Sequence, residues 1–204
     1  MDVFSPSMHY DPHAYLDGRF FENIRFAALD CAAREIYRNG VEGHIAECGV
    51  YRGDFAHMIS RFLPDRKFYL FDTFEGFDER DNVDHEFDTI PTVYFNNTAV
   101  DVVLDKIGHH VDTVVRKGYF PETAKGLEEE RFAFVSLDTD LYQPILAGLE
   151  FFWPRLNPGG MIFVHDFASL AGVRKAVMEY CRREHIGYMR IPDEFDTAVL
   201  SKPL

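Results

Sequence analysis

The sequence predicts an α/β fold in which a mostly parallel, doubly wound sheet carries helices on both faces. Three observations point to it. Short apolar runs alternate along the chain with segments of helical periodicity. The first run passes through a glycine-containing turn into a helix. Several runs end on an acid or a histidine–acid pair, which places those groups at the carboxyl edge where open α/β sheets bind ligands.

From about Gly18 to Arg38, Phe20, Ile24, Ala27 and Cys31 recur at helical spacing and predict one buried helix face, with Gly40 placed to stop it. His44 to Gly49 reads as a strand, Gly49-Val50-Tyr51-Arg52-Gly53 as a turn, and Asp54 to Leu63 as a helix. Lys67 to Asp72 is nearly continuous in apolar residues, as expected of a parallel strand covered on both faces. Phe74 to Asn97 is polar and aperiodic, and is expected to be a long surface excursion over a site. Asn97 is placed to cap a helix that buries Val100, Val103, Leu104 and Ile107, and Asp112 to Arg116 forms the next strand. Phe132 to Asp138 is a further strand, and Ile145, Leu149 and Phe152 mark the helix after it. The loop Asn157-Pro158-Gly159-Gly160 separates that helix from a strand at Met161 to Val164. A helix over Val173 to Glu184 and strands near Tyr188 and at Ala198 to Leu200 complete a seven-stranded sheet.

At 204 residues and 47% hydrophobic content, one domain spanning residues 1–204 is expected, with residues 1–40 as its N-terminal helical segment. A net charge of -13 argues against nucleic acid as a partner. Cys31, Cys48 and Cys181 are odd in number and far apart, so neither a zinc site nor a disulfide framework is expected. The absence of a signal-peptide pattern and of any membrane-length apolar stretch points to a cytoplasmic protein without a membrane partner.

The candidate chemistry is positional. Glu47 with its glycine turn, Asp72, Asp138 with Asp140, and His165 with Asp166 all fall at predicted strand ends. For any one acid the competing reading is a cap on the following helix; their coincidence on one edge favours a site. The turn is not the GxGxxG pattern of dinucleotide enzymes, and an acid at Glu47 suits an ammonium or sulfonium better than a pyrophosphate. Asp72, about 20 residues beyond the turn, is placed to meet ribose hydroxyls. Asp138, Asp140, His165 and Asp166 could converge on a cation; carboxylates suit magnesium, whereas an imidazole admits manganese or another transition metal. His165 could instead hydrogen-bond a backbone group. His109 and His110 are expected on the surface or in loops, and Tyr142 and Trp153 in the core.

The motifs Ala46-Glu47-Cys48-Gly49-Val50-Tyr51-Arg52-Gly53, Leu70-Phe71-Asp72-Thr73-Phe74-Glu75-Gly76-Phe77, Lys117-Gly118-Tyr119-Phe120-Pro121-Glu122-Thr123, Leu137-Asp138-Thr139-Asp140-Leu141-Tyr142 and Asn157-Pro158-Gly159-Gly160, in that order, resemble the macrocin O-methyltransferase family. The resemblance covers about Gly40 to Glu179. It implies the Rossmann-like fold of class I S-adenosylmethionine-dependent methyltransferases, acting on a hydroxyl of a sugar or other polyhydroxylated small molecule in secondary metabolite biosynthesis. It further implies that Glu47, Gly49, Val50, Tyr51 and Gly53 lie against the methionine part of S-adenosylmethionine, that Asp72 and Asp138 bind the cofactor, and that Thr73 and Phe74 help enclose the nucleoside. Gly118, Tyr119 and Phe120 would border the adenine. The family's magnesium ligands map to Asp138, His165 and Asp166, with His165 standing where the family has an acid, and its general base maps to Asp140. The chain is short for the family, which leaves little sequence for a dimerisation element, and a homo-oligomer stays open. Two other readings are a metal-dependent hydrolase or lyase that binds no nucleoside, and a non-catalytic protein that binds S-adenosylmethionine without needing a metal.

Overall fold

The computed structural model describes residues 20–83, 93–108 and 112–204, with side chains from Ile24 onward apart from those of residues 82 and 83. The two histidines at 109 and 110 lie outside the described residues.

Helix α1 (Phe20–Arg38) ends where Gly40 takes φ 61°. Its buried face is Arg25, Leu29, Ala32, Ala33 and Ile36, whereas Cys31 is exposed and Ala27 only partly covered. The expected face is therefore displaced by one residue, about 100° around the helix. The cause is Arg25, a charged residue that belongs to the inward stripe because its charge is met inside the fold.

Strands β1 (His44–Cys48), β2 (Phe68–Asp72), β3 (Thr113–Lys117), β4 (Phe132–Leu137), β5 (Leu156–Val164), β6 (Met189–Ile191) and β7 (Thr197–Ser201) form one sheet in the order β3-β2-β1-β4-β5-β7-β6. The first five are parallel, and β7 runs antiparallel to both of its neighbours. Ile45, Leu70, Phe134 and Phe163 point to a layer containing Leu29, Ile36, Phe55 and Ile59 of α1 and α2 (Asp54–Phe62). Their chain neighbours Ala46, Phe71, Val135 and Ile162 point to a layer containing Ile145, Leu149, Phe152, Val173 and Val177 of α4 (Tyr142–Arg155) and α5 (Ala171–Glu184). Both faces of the central strands β1, β2, β4 and β5 are covered, so their buried side chains are nearly all apolar and no regular polar alternation remains, whereas β3 and β6 are only partly covered. Each fully buried phenylalanine on these strands contributes on the order of 1.5–3 kcal/mol.

Two expectations are corrected. The segment Asn157-Pro158-Gly159-Gly160 belongs to β5 and is not a separate loop. Leu156 pairs with Phe132, a register shift follows, and Gly159 at φ 80° lets its N–H reach the Lys202 carbonyl at 2.9 Å. A glycine bulge thus carries the strand through a sequence that reads as a breaker. Helix α3 (Val100–Ile107) has Ala99, not Asn97, at its N-cap and no side-chain cap; the Asn97 side chain instead accepts a 2.8 Å hydrogen bond from the Tyr51 hydroxyl. Val103 and Ile107 are buried, while Leu104 is 36% exposed and leaves the expected face.

Candidate active site

The strand order reverses between β1 and β4, and at such a switch point the crevice beyond the carboxyl ends stays open for a ligand. The ladder continues one residue past each strand. Gly49 N–H donates to Phe71 O, Asp138 N–H to Cys48 O, His165 N–H to Leu137 O and Gly118 N–H to Asp72 O, at 2.8–3.0 Å. These bonds bring the glycine turn, the Asp138 loop, His165 and Gly118 to one level on one edge.

Gly49 has φ 84°, and a Cβ there would meet the Asp138 carbonyl oxygen at 1.9 Å. Only glycine lets the ends of β1 and β4 approach this closely. The turn beyond it is clamped by Asp72: one carboxylate oxygen accepts the N–H groups of Val50 (2.7 Å) and Tyr51 (2.9 Å), and the other accepts that of Phe74 (2.6 Å). None of the helices that follow these strands has a side-chain cap, so the capping explanation for the strand-end acids fails.

Glu47 is 1% exposed, and its Oε2 has no hydrogen-bond partner among the described residues. Burial pushes its pKa well above the usual carboxylate range, with Arg25 opposing part of that rise. A second cluster lies beside it. Asp138 Oδ2 accepts from Arg25 Nη1 at 3.0 Å, and Asp138 Oδ1 lies 3.1 Å from His165 Nδ1, which also lies 2.9 Å from Asp166 Oδ2. Burial opposes ionisation of Asp138, but His165 and Arg25 hold its carboxyl far below the ordinary range. Burial likewise opposes the imidazolium, yet Asp138 raises His165 to about 9. Ser169 fixes the other Asp166 oxygen at 2.6 Å. Asp140 sits at φ 61° in the left-handed region, and burial, Asp138 and Asp166 all push its pKa up. Backbone conformations of this cost persist where surrounding structure enforces them, commonly at functional sites.

One cavity of about 680 Å³ unites these groups, within the usual range for a small-molecule site. Of the expected residues, Glu47, Gly49, Val50, Tyr51, Asp72, Thr73, Gly118, Tyr119, Phe120, Asp138, Asp140, His165 and Asp166 line it. Gly53 and Phe74 do not. Gly53 is buried, and a Cβ on it would meet Val103 of α3 at 3.1 Å; Phe74 is 5% exposed and its ring joins the core, because φ 54° turns the chain inward as its N–H binds Asp72. Several lining residues were not expected: Arg25, Phe55, Phe77, Asp81, Tyr94, Phe95 and Phe195. Arg25 heads the buried stripe Arg25, Leu29, Ala33, Ile36, but as a charged residue it reads in sequence as part of an exposed face. Phe195 carries no local signal, since it comes from the β6–β7 connection and reaches the site only through the fold, packing edge-on to His165 with ring centroids 5.7 Å apart. Tyr119 donates to Asp81 at 2.8 Å beneath the Arg80 guanidinium, which lies 3.7 Å from the ring centre.

The sequence pattern of the macrocin-O-methyltransferase (TylF) family matches residues 20–191. The chain belongs to the macrocin O-methyltransferase family. Among similar proteins, the 8-demethyl-8-(2,3-dimethoxy-alpha-L-rhamnosyl)-tetracenomycin-C 4'-O-methyltransferase of Streptomyces olivaceus is 31% identical over 169 residues, 76% of this chain and 64% of that protein. The mycinamicin III 3''-O-methyltransferase of Micromonospora griseorubida is 32% identical over 177 residues, 79% of this chain and 69% of that protein. The chain thus spans 64% and 69% of the length of these two relatives. The solved O-methyltransferase NovP superposes with a TM-score of 0.71 at 20% identity, covering 89% of this chain and 80% of its own. The calicheamicin methyltransferase CalS11 gives 0.69 at 22% identity, covering 88% and 79%. These two likenesses establish a shared class I methyltransferase fold. No helix among the described residues is long and apolar enough to cross a membrane.

Proposed function

We infer that this member of the family is an S-adenosylmethionine-dependent O-methyltransferase that methylates a hydroxyl of a sugar or other polyhydroxylated small molecule. One observation carries the reading: Glu47, Thr139 and Arg25 all line the cavity at the switch point, and each has a buried polar atom with no hydrogen-bond partner among the described residues. Buried polar atoms are rarely left unsatisfied, so a polar ligand belongs there. An unpartnered acid in that place suits the ammonium and sulfonium charges of the cofactor. The relatives that act on rhamnosyl tetracenomycin and on mycinamicin support a glycosylated acceptor.

When bound, S-adenosylmethionine supplies an activated methyl group. Glu47 holds the cationic end of its methionyl portion, and Thr73, Tyr119 and Phe120 enclose the nucleoside. Asp72 has used three of about four acceptor positions on the Val50–Tyr51 turn and on Phe74, so its first task is to shape the cradle, with one position left for a ribose hydroxyl. Asp140 takes the acceptor's hydroxyl proton. The freed oxygen pair forms a bond to the methyl carbon while the carbon–sulfur pair returns to sulfur, leaving S-adenosylhomocysteine. A positioned base of this kind contributes about 100- to 10,000-fold.

Asp138, His165 and Asp166 offer three ligand atoms within 4.8 Å of one another, a set able to hold a divalent cation. Magnesium fits the two carboxylates, and manganese or another transition metal fits the imidazole as well. Such an ion would lower the pKa of an acceptor hydroxyl. The described parts of the 74–97 segment supply Phe77, Asp81, Tyr94 and Phe95 to the lining of the cavity, where an acceptor could pack against them.

Calorimetry with S-adenosylhomocysteine, followed by transfer of labelled methyl to a panel of glycosylated acceptors, tests the reading. Saturable binding and a labelled product are expected. A folded protein that binds no S-adenosylhomocysteine would return the site to the hydrolase or lyase class.

A further inference from the structure

We propose that Phe195, on the turn between β6 and β7, is a specificity-determining residue: the apolar C–H face of the acceptor's sugar ring stacks on its side chain while the hydroxyl to be methylated meets Asp140. The proposal rests on the methyl-transfer reading above and adds a residue that lies beyond residues 20–191, the stretch that the family pattern matches.

A single exposed phenylalanine on a turn is common and needs no explanation by itself. Phe195 is 41% exposed, but it lines the cavity and the backbone that carries it is fixed on both sides. Ala168 N–H donates to Phe195 O and Phe167 N–H to Asp196 O, each at 3.0 Å, which laces the turn to the segment directly after Asp166. Across the turn the Asp193 carboxylate, 5% exposed, accepts the Thr197 N–H at 2.7 Å and the Thr197 hydroxyl at 2.6 Å. Asp196, at φ 55° in the left-handed region, is ion-paired with Arg190. The ring is therefore presented on a pre-organised backbone, and a ligand that settles on it pays little to order the turn.

The Phe195 ring stands nearly perpendicular to the His165 imidazole, with centroids 5.7 Å apart, and so borders the acids Asp138, Asp140 and Asp166 in the same cavity. A pyranose ring carries a polar rim of hydroxyls and, on one of its faces, a patch of axial C–H groups. The rim suits the carboxylates, and the patch suits an aromatic ring placed beside them. Other exposed aromatics of the cavity are already paired: the Phe95 ring centre lies 5.0 Å from that of Tyr51 and 5.6 Å from that of Phe77, so these rings cover one another. Phe195 instead has its ring contact with the proposed reaction centre. A sugar seated there would bury apolar surface that is now open and would hold its hydroxyls within reach of the acids.

The test is ligand-observed NMR on the protein loaded with S-adenosylhomocysteine, titrated with the methyl pyranosides of rhamnose, fucose and glucose. At least one should bind, with saturation transferred most strongly to the C–H protons of one ring face. Phe195→Ala should weaken that binding by about tenfold, Phe195→Trp should keep it within about twofold, and Phe195→Leu, apolar but without a ring face, should not restore it. Affinity for S-adenosylhomocysteine, read by calorimetry, and the thermal midpoint should stay at wild-type values in all three variants. Binding that survives Phe195→Ala, a leucine that serves as well as tryptophan, an equal loss of S-adenosylhomocysteine, or no pyranoside bound by the loaded wild-type protein overturns the proposal. Failure of the wild-type protein to bind S-adenosylhomocysteine would instead remove the methyl-transfer reading itself.

Discussion

Arg25 on the first helix and Asp138 at the end of the fourth strand, 113 residues apart, form a 3.0 Å ion pair with side chains only 10% and 21% exposed. The pair ties the N-terminal helix to the loop that carries the proposed chemistry. It also means that Asp138 meets positive charge from two directions, Arg25 on one oxygen and His165 on the other.

Asp138→Ala leaves the Arg25 charge buried without its main partner, and a loss of about 3 kcal/mol is expected, as is usual when one member of a buried pair is removed. Urea denaturation measures it. Arg25→Met combined with Asp138→Ala should recover part of the loss, because no orphaned charge then remains.

Asp140→Asn keeps the shape of the loop and removes the base. Binding of S-adenosylhomocysteine should stay within about twofold, while turnover with an identified acceptor should fall by about 100-fold or more. Normal turnover would transfer the role of base to another group.

Gly49→Ala places a methyl group 1.9 Å from the Asp138 carbonyl oxygen at a φ that alanine avoids. A cost above about 3 kcal/mol is expected, at the large end of single-residue effects. Thermal unfolding checks it, and a stable variant would show that the β1 and β4 ends can part without harm.

Burial raises Asp81 to about 6, opposed by the Tyr119 hydroxyl that it accepts. An acid with a raised folded-state pKa keeps its proton where the unfolded chain has lost it, so stability falls as pH rises from about 4 to about 6. Asp81 is partly exposed, and screening limits the effect to about 1 kcal/mol or less. Asp81→Asn should therefore be more stable than wild type at pH 7 and equal to it near pH 4, as read from denaturation midpoints. No pH dependence in that difference would contradict the assignment.

The sheet was legible because its strands are buried on both faces: Phe68 to Phe71 and Phe132 to Leu137 admit hardly any polar residue, and that pattern survives in the linear sequence. The strand-end acids were legible for the same reason, since each follows directly on such a run. Groups brought in from outside the sheet were not. Arg25 reads as a surface charge until the Asp138 carboxylate is placed opposite it, and Phe195 reaches His165 only through the antiparallel return of β7. Phe74 misled because a motif fixes neighbours in sequence but not the direction of a side chain at a left-handed backbone position.

The central claim is that the crevice between β1 and β4 holds an adenosyl group with its amino-acid end on Glu47. A crystal soaked with S-adenosylhomocysteine and manganese, phased to show the anomalous signal of the metal, tests it most directly. The nucleoside should lie between Asp72 and Tyr119, the amine should meet Glu47, and any metal peak should fall among Asp138, His165 and Asp166. A nucleoside bound elsewhere, or Glu47 left unpaired beside it, would contradict the account.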